Sequence, residues 1–245
     1  MHNCLCCNGG AHGTSAGGRR RFMAAAAGLF APGLAAPAAL AAPEGFKTML
    51  TPDEALRALR DGNERFVADA PFRPDIGAAR RTATARGQGP FASIVSCADS
   101  RAAPELVFSR GIGELFVVRT AGNIADAVAL GSIEYSVAVL GSPLLVVMGH
   151  ASCGAVAAAV DVVEKNATFP GSIGEVARPI VPAVQKARGQ RGDLLGNAIR
   201  ENAVMVAQGM VARSPVLQDA VRKDKLRVIA AHHGLADGRV EFLGG

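Results

Sequence analysis

The chain is 245 residues long, 49% apolar and 19% charged, and 26 basic against 21 acidic side chains give it a net charge of +5. That length and apolar content suit one sizeable core rather than two. Residues 1 to 41 hold three arginines and no acid, which leaves +2 for the remainder; with one Tyr, no Trp and no basic stripe, a nucleic-acid partner is not expected.

Residues 1–41 have the layout of an export signal. Arg19-Arg20-Arg21-Phe22-Met23 leads into an alanine-rich stretch broken by Gly28, Pro32, Gly33 and Pro37, and Ala39-Leu40-Ala41 offers a small-residue cleavage site. The paired arginines before Phe22 resemble a twin-arginine signal, which implies the twin-arginine export machinery as a partner and the periplasm as destination. The apolar run before Pro32 is about a dozen residues, short of the ~20 that cross a bilayer, so an uncleaved membrane anchor is the alternative. Cys4, Cys6 and Cys7, flanked by His2 and His12, would leave with the signal, and any role in holding metal stays open. The mature chain, 42–245, is expected to form a single domain that keeps only Cys97 and Cys153.

Residues 42 to 50 read as a lead. Thr51-Pro52-Asp53-Glu54 then starts a helix over 51–67, with Thr as N-cap, Pro at the first helical position and acids in the first turn. Pro71 to Pro74 break the chain, and the basic stretch 75–86 is predicted helical. Short apolar runs bounded by turn residues predict strands at 91–97, 115–120, 143–149 and 226–231. A turn at Asp237-Gly238 leads into 239–243. Between them, helices are predicted over 125–140, from Cys153-Gly154 onward, over 176–188 and 193–213, and after Pro215, with a looser connection at 161–174. Strands alternating with helices predict an α/β fold: a mainly parallel sheet with helices on both faces.

Two of these strands end in chemistry. The first closes on Cys97-Ala98-Asp99-Ser100-Arg101 and the third on His150-Ala151-Ser152-Cys153. Ligands in open α/β sheets collect at the carboxyl ends of strands. Two thiolates and one imidazole form a three-ligand zinc set with a fourth position for water, whose pKa falls towards ~7. Asp99 is placed to accept that water's hydrogen bond, and Arg101 to hold Asp99 ionised. Asp99 could also swing onto the metal and close the site. Taken singly, Cys97 reads as a core cysteine, His150 as a strand-end histidine and Asp99–Arg101 as an ordinary ion pair. A Cys97–Cys153 disulfide is the other alternative.

The pattern Cys97-x-Asp99-x-Arg101 with His150-x-x-Cys153 resembles that of the β-class carbonic anhydrases. So do Gly87-Gln88, Phe116-Val117-Val118-Arg119 into Ala121-Gly122-Asn123, Gly131-Ser132-Ile133-Glu134-Tyr135, and Cys153-Gly154; the likeness runs from about Glu64 to Phe242. The resemblance implies reversible hydration of CO2 to bicarbonate and a proton by zinc-bound hydroxide. It implies one Zn2+ per chain on Cys97, His150 and Cys153, with Asp99 and Arg101 as the catalytic dyad. Gln88, Phe116, Ala121, Tyr135 and Gly154 would contact the substrate. It further implies an antiparallel edge strand and a homodimer or higher oligomer, a tetramer included, in which Gln88 serves the neighbour's zinc and helix 51–67 wraps the partner. Some members carry a second bicarbonate site of Trp, Arg and Tyr; here Ile94 stands for the Trp, Arg119 is kept and His233 stands for the Tyr, so that site is expected to be absent. His232 and His233 read as structural histidines or, alternatively, as proton shuttles. Hydrolysis of carbon disulfide or carbonyl sulfide, and a non-catalytic zinc-holding role, are the competing functions.

Overall fold

The computed structural model describes residues 46–70 and 74–244. The predicted export signal, its cysteines and the first part of the proline break lie outside the described residues. No described helix is long and apolar enough to cross a membrane.

Helix α1 (Pro52–Val67) starts where the capping chemistry predicts. The Thr51 hydroxyl accepts the Glu54 N–H (3.3 Å), and the Glu54 carboxylate accepts the Thr51 N–H (2.8 Å), so two orphan donors are satisfied reciprocally. Its buried face carries Ala55, Leu56 and Leu59 onto the sheet. A short basic helix, α2 (Ala78–Thr84), precedes β1 (Ala92–Cys97). Then follow α3 (Pro104–Val107), β2 (Leu115–Thr120), α4 (Ala127–Ala138), β3 (Leu144–His150) and α5 (Gly154–Lys165). The remainder is α6 (Ile173–Ala177), α7 (Val181–Ala187), α8 (Leu194–Arg213), α9 (Pro215–Arg222), β4 (Arg227–His233) and β5 (Val240–Leu243).

The five strands form one sheet in the order β2-β1-β3-β4-β5, parallel throughout except for the antiparallel edge β5. Every residue of β1 and β3 is buried, because these central strands are covered on both faces and have no solvent side for polar residues to alternate onto. Ile94, Leu144, Val146 and Met148 pack under α1. Val95, Leu145 and Val147 pack against Ile133 of α4, Ala203 and Met210 of α8 and Leu217 of α9. Each large side chain so buried contributes roughly 1.5–3 kcal/mol. A third cluster, built from α5, α7 and the start of α8, closes around Cys97 and Cys153.

Several predicted boundaries are corrected. The helix predicted over 125–140 begins at Ala127, because the Asp126 carboxylate accepts the Ala129 N–H (2.8 Å) and caps it there. Helix α5 runs to Lys165 and ends on left-handed Asn166, so the looser connection starts later than residue 161. The single helix predicted over 176–188 is two helical segments joined by a 3₁₀ turn, Arg178–Ile180. Pro179 and Pro182 remove two donors there, so an unbroken α ladder cannot form. Strand β4 continues to His233, two residues past its predicted end.

Chain order places β2 on one side of β1 and β3 on the other. The carboxyl ends of β1 and β3 therefore flank the point where the winding reverses, where a doubly wound sheet leaves a crevice.

Candidate metal centre

β1 delivers Cys97 to that crevice and β3 delivers His150. Three residues on, Cys153 is the N-cap of α5, so its sulfur sits at the positive end of a helix dipole. The two sulfurs are 4.0 Å apart, and one ligand atom from each of Cys97, His150 and Cys153 lies within 4.8 Å of the others. All three residues are buried, with His150 only 1% exposed.

The donors are prepared for a cation. His150 Nδ1 lies 2.9 Å from the Ala151 carbonyl oxygen and donates to it, which leaves the lone pair on Nε2. That Nε2 is buried and has no hydrogen-bond partner among the described residues. An orphaned buried imidazole nitrogen beside two sulfurs is what a zinc ion would satisfy. The pKa of the Cys97 thiol is held below the ordinary thiol range, chiefly because Cys153 donates to its sulfur, aided by His150 and by the Gly122 N–H at 3.3 Å and opposed by burial. Cys153 shifts upward in exchange, since it keeps the proton that the pair shares. Both cysteines are free thiols, so the disulfide alternative is not adopted.

Asp99 stands beside this triad. Arg101 Nε donates to its Oδ1 (2.9 Å), Nη2 to its Oδ2 (2.8 Å), and the Arg101 backbone N–H to Oδ1 again (2.9 Å). The guanidinium, above all, holds the carboxyl well below the usual carboxylate range. Asp99 Oδ2 lies 3.8 Å from His150 Nε2, near the centre but turned towards Arg101.

Arg119, expected from the sequence to be a remnant of a second anion site, is directed at backbone here. Its Nε donates to the Cys97 carbonyl (3.0 Å) and its Nη2 to the Asp99 carbonyl (2.5 Å), clamping the segment that carries both ligand and carboxylate. Ile94 is wholly buried in the core, and His233 is 2% exposed with both ring nitrogens unpartnered among the described residues.

The remaining predicted site residues divide into two groups. Ala121 and Gly154 adjoin the triad, one beside the Gly122 amide and the other beside Cys153, and both are exposed. Gln88 lies ahead of β1, at the amino end of the sheet, so the six residues of β1 separate it from Cys97 by roughly 17 Å at 3.3 Å per residue. Phe116 pairs with Ser93, while Thr120 pairs with Cys97; Phe116 is therefore roughly 13 Å back along the edge strand. Its ring lies 6.5 Å from that of Tyr135, which is 43% exposed. One chain thus gathers Cys97, Asp99, Arg101, His150 and Cys153, but not Gln88, Phe116 or Tyr135.

Two contributions went unrecognised in the sequence: the Gly122 N–H on the Cys97 sulfur, and Asn202, whose side chain holds the Gly122 carbonyl (2.9 Å). A backbone donor leaves no compositional trace. Asn202 does leave one, being a polar residue on the same helix stripe as Ala198, Ile199 and Ala203.

The carbonic anhydrase family pattern matches residues 92–240. Carbonic anhydrase 2 of Mycobacterium tuberculosis is 39% identical over 188 residues, covering 77% of this chain and 91% of that protein. Among solved structures, a β-carbonic anhydrase of Coccomyxa, determined with acetazolamide, superposes with a TM-score of 0.59 at 23% identity, covering 77% of this chain and 84% of that one. A tetrameric β-carbonic anhydrase of Sordaria macrospora gives 0.57 at 23% identity, covering 68% and 90%.

Proposed function

The chain belongs to the β-class carbonic anhydrases, and from that premise we propose that Asp99 and Arg101 are the groups through which its own residues drive the hydration of CO2. The enzyme's cofactor is zinc, and Cys97, His150 and Cys153 are the residues that would hold it. When bound, the ion supplies a Lewis acid that brings the ionisation of water into the neutral range.

The rest falls to the polypeptide. An ionised carboxylate is an acceptor only, so Asp99 fixes the hydrogen of a water molecule facing it and turns that oxygen's lone pair away, towards the substrate. Arg101 occupies both carboxylate oxygens, which keeps Asp99 charged and aimed. Exposed Ala121 and Gly154 leave the approach small-sided, suited to a linear apolar molecule. The observation that carries this reading is the paired Arg101–Asp99 contact within 3.8 Å of His150 Nε2. Stopped-flow hydration on zinc-loaded Asp99→Asn tests it: zinc should stay at one per chain while turnover collapses. A variant as fast as the parent would remove Asp99 from the mechanism.

Two further readings belong to the same proposal. A second copy of the chain would complete the site, because Gln88 is at the wrong end of the sheet to serve its own Cys97. Half-exposed Tyr135 and Val128 (77% exposed) lie on α4, with Tyr135 against Phe116 of the edge strand β2, and give that copy an apolar surface to cover. Residues 1–41 would send the protein to the periplasm through twin-arginine export. Arg19→Lys with Arg20→Lys should leave the enzyme inside the cell, and unchanged fractionation would refute that route.

A further inference from the structure

We propose that Asn202, on α8, is a positioning residue for the Cys97 thiolate and acts through the Gly122 peptide. The inference rests on Cys97 being a zinc ligand.

Directly after β2 the chain makes a single 3₁₀ turn, Ala121–Asn123, that folds over Cys97. Gly122 occupies the left-handed region (φ 69°, ψ 21°), which turns its N–H onto the Cys97 sulfur at 3.3 Å. Its opposite side is pressed against the scaffold. A Cβ at Gly122 would stand 2.6 Å from Ile180 Cδ1 and 3.0 Å from the Ala155 Cβ, so a side chain there would have to displace both while holding a left-handed φ. The carbonyl of the same residue accepts a hydrogen bond from Asn202 Nδ2 at 2.9 Å. Asn202 is 1% exposed, and its buried neighbours on the helix are Ala198, Ile199 and Ala203. A lone amide on an apolar stripe costs desolvation unless it is used. Here it ties the turn to α8 and thereby fixes where the Gly122 N–H points.

An N–H donated to a thiolate withdraws electron density from sulfur, which tunes how tightly that sulfur binds a metal. Outer partners of this kind are typically worth about 10–100-fold in metal affinity. Asn202 therefore sets the strength of the Cys97–metal bond from a helix that touches neither metal nor substrate.

The test uses the full protein with Co2+ in place of zinc, and the variants Asn202→Leu, similar in volume, and Asn202→Ala. Loss of the amide should move the sulfur-to-cobalt charge-transfer band to lower energy and, because the turn no longer holds the Cys97 sulfur in place, speed zinc release to a chromophoric chelator about tenfold. A band that stays in place in both variants, even with faster release or a lower melting temperature, would make Asn202 a packing residue only. Should neither variant fold, the parent protein loaded with 113Cd decides: scalar coupling between the Gly122 amide proton and cadmium is expected, and its absence overturns the proposal. A parent cobalt protein with no sulfur band at all would instead defeat the ligand assignment beneath it.

Discussion

The two ends of the sheet are built on opposite plans. At the carboxyl end, Cys97, His150 and Cys153 converge within 4.8 Å, and several polar groups around them are engaged: Arg101 on Asp99, Arg119 on two carbonyls, Gly122 on a sulfur. Towards the amino end and the β2 edge, Gln88 is exposed, Phe116 and Tyr135 meet without covering one another, and Val128 stands in solvent. The first region is finished by one chain. The second leaves apolar side chains uncovered, and the comparison teaches that one chain brings the candidate metal ligands together without gathering the other predicted substrate contacts.

The strongest way to break this contrast is at the closed end. Cys153→Ser should lose the zinc and bring hydration down to background, and a variant retaining one zinc per chain would refute the ligand set. Asp99→Asn should keep its zinc and lose on the order of 10²-fold in turnover, the usual contribution of a positioned proton acceptor. At the open end, Gln88→Ala should leave zinc content alone and reduce kcat/KM about tenfold, as expected for one lost hydrogen bond to a substrate oxygen. Mixing Gln88→Ala with Cys153→Ser chains sharpens the comparison: mixed oligomers should regain a site of parental kcat/KM, and no recovery would mean that Gln88 serves no neighbour. Tyr135→Asp with Val128→Asp should yield monomers in sedimentation while the zinc stays bound.

The smallest effect on turnover is expected from His233. Burial, foremost, lowers its pKa from the ordinary 6.5 to about 4, so the folded chain resists a proton that the unfolded chain accepts. Stability from this group is complete above about pH 6.5 and is lost as pH falls towards 4, by about 3 kcal/mol for the full shift. Denaturation between pH 7 and 4 should show that slope, and His233→Phe should flatten it.

The sequence was most legible where local chemistry decides the outcome. Thr51 and Glu54 announce α1 because a capping box works within four residues. The short, predominantly apolar runs of β1 and β3 announce central strands, and so place Cys97 and His150 at strand ends. The 3₁₀ turn at Arg178–Ile180 was missed although both prolines were in view, since the neighbouring apolar residues still repeat at helical spacing. The extra turn of α5 and the last residues of β4 depend on what packs against them. Within the site, the side chains that the structure brings together, Cys97, His150, Cys153 and Asp99, were readable as a cluster. The geometry of the Gly122 turn was not, because it is set by Ile180, Ala155 and Asn202, which lie 33 to 80 residues further along the chain.

Cys97 and Cys153 are 56 residues apart in sequence and meet only because β1 and β3 pair. Between them the chain must complete β2 and α4 and return, so no fragment ending before residue 153 contains the centre. The metal site therefore requires β1, β3 and the start of α5 to be in place together, and zinc content reports on the chains in which that long-range pairing has formed.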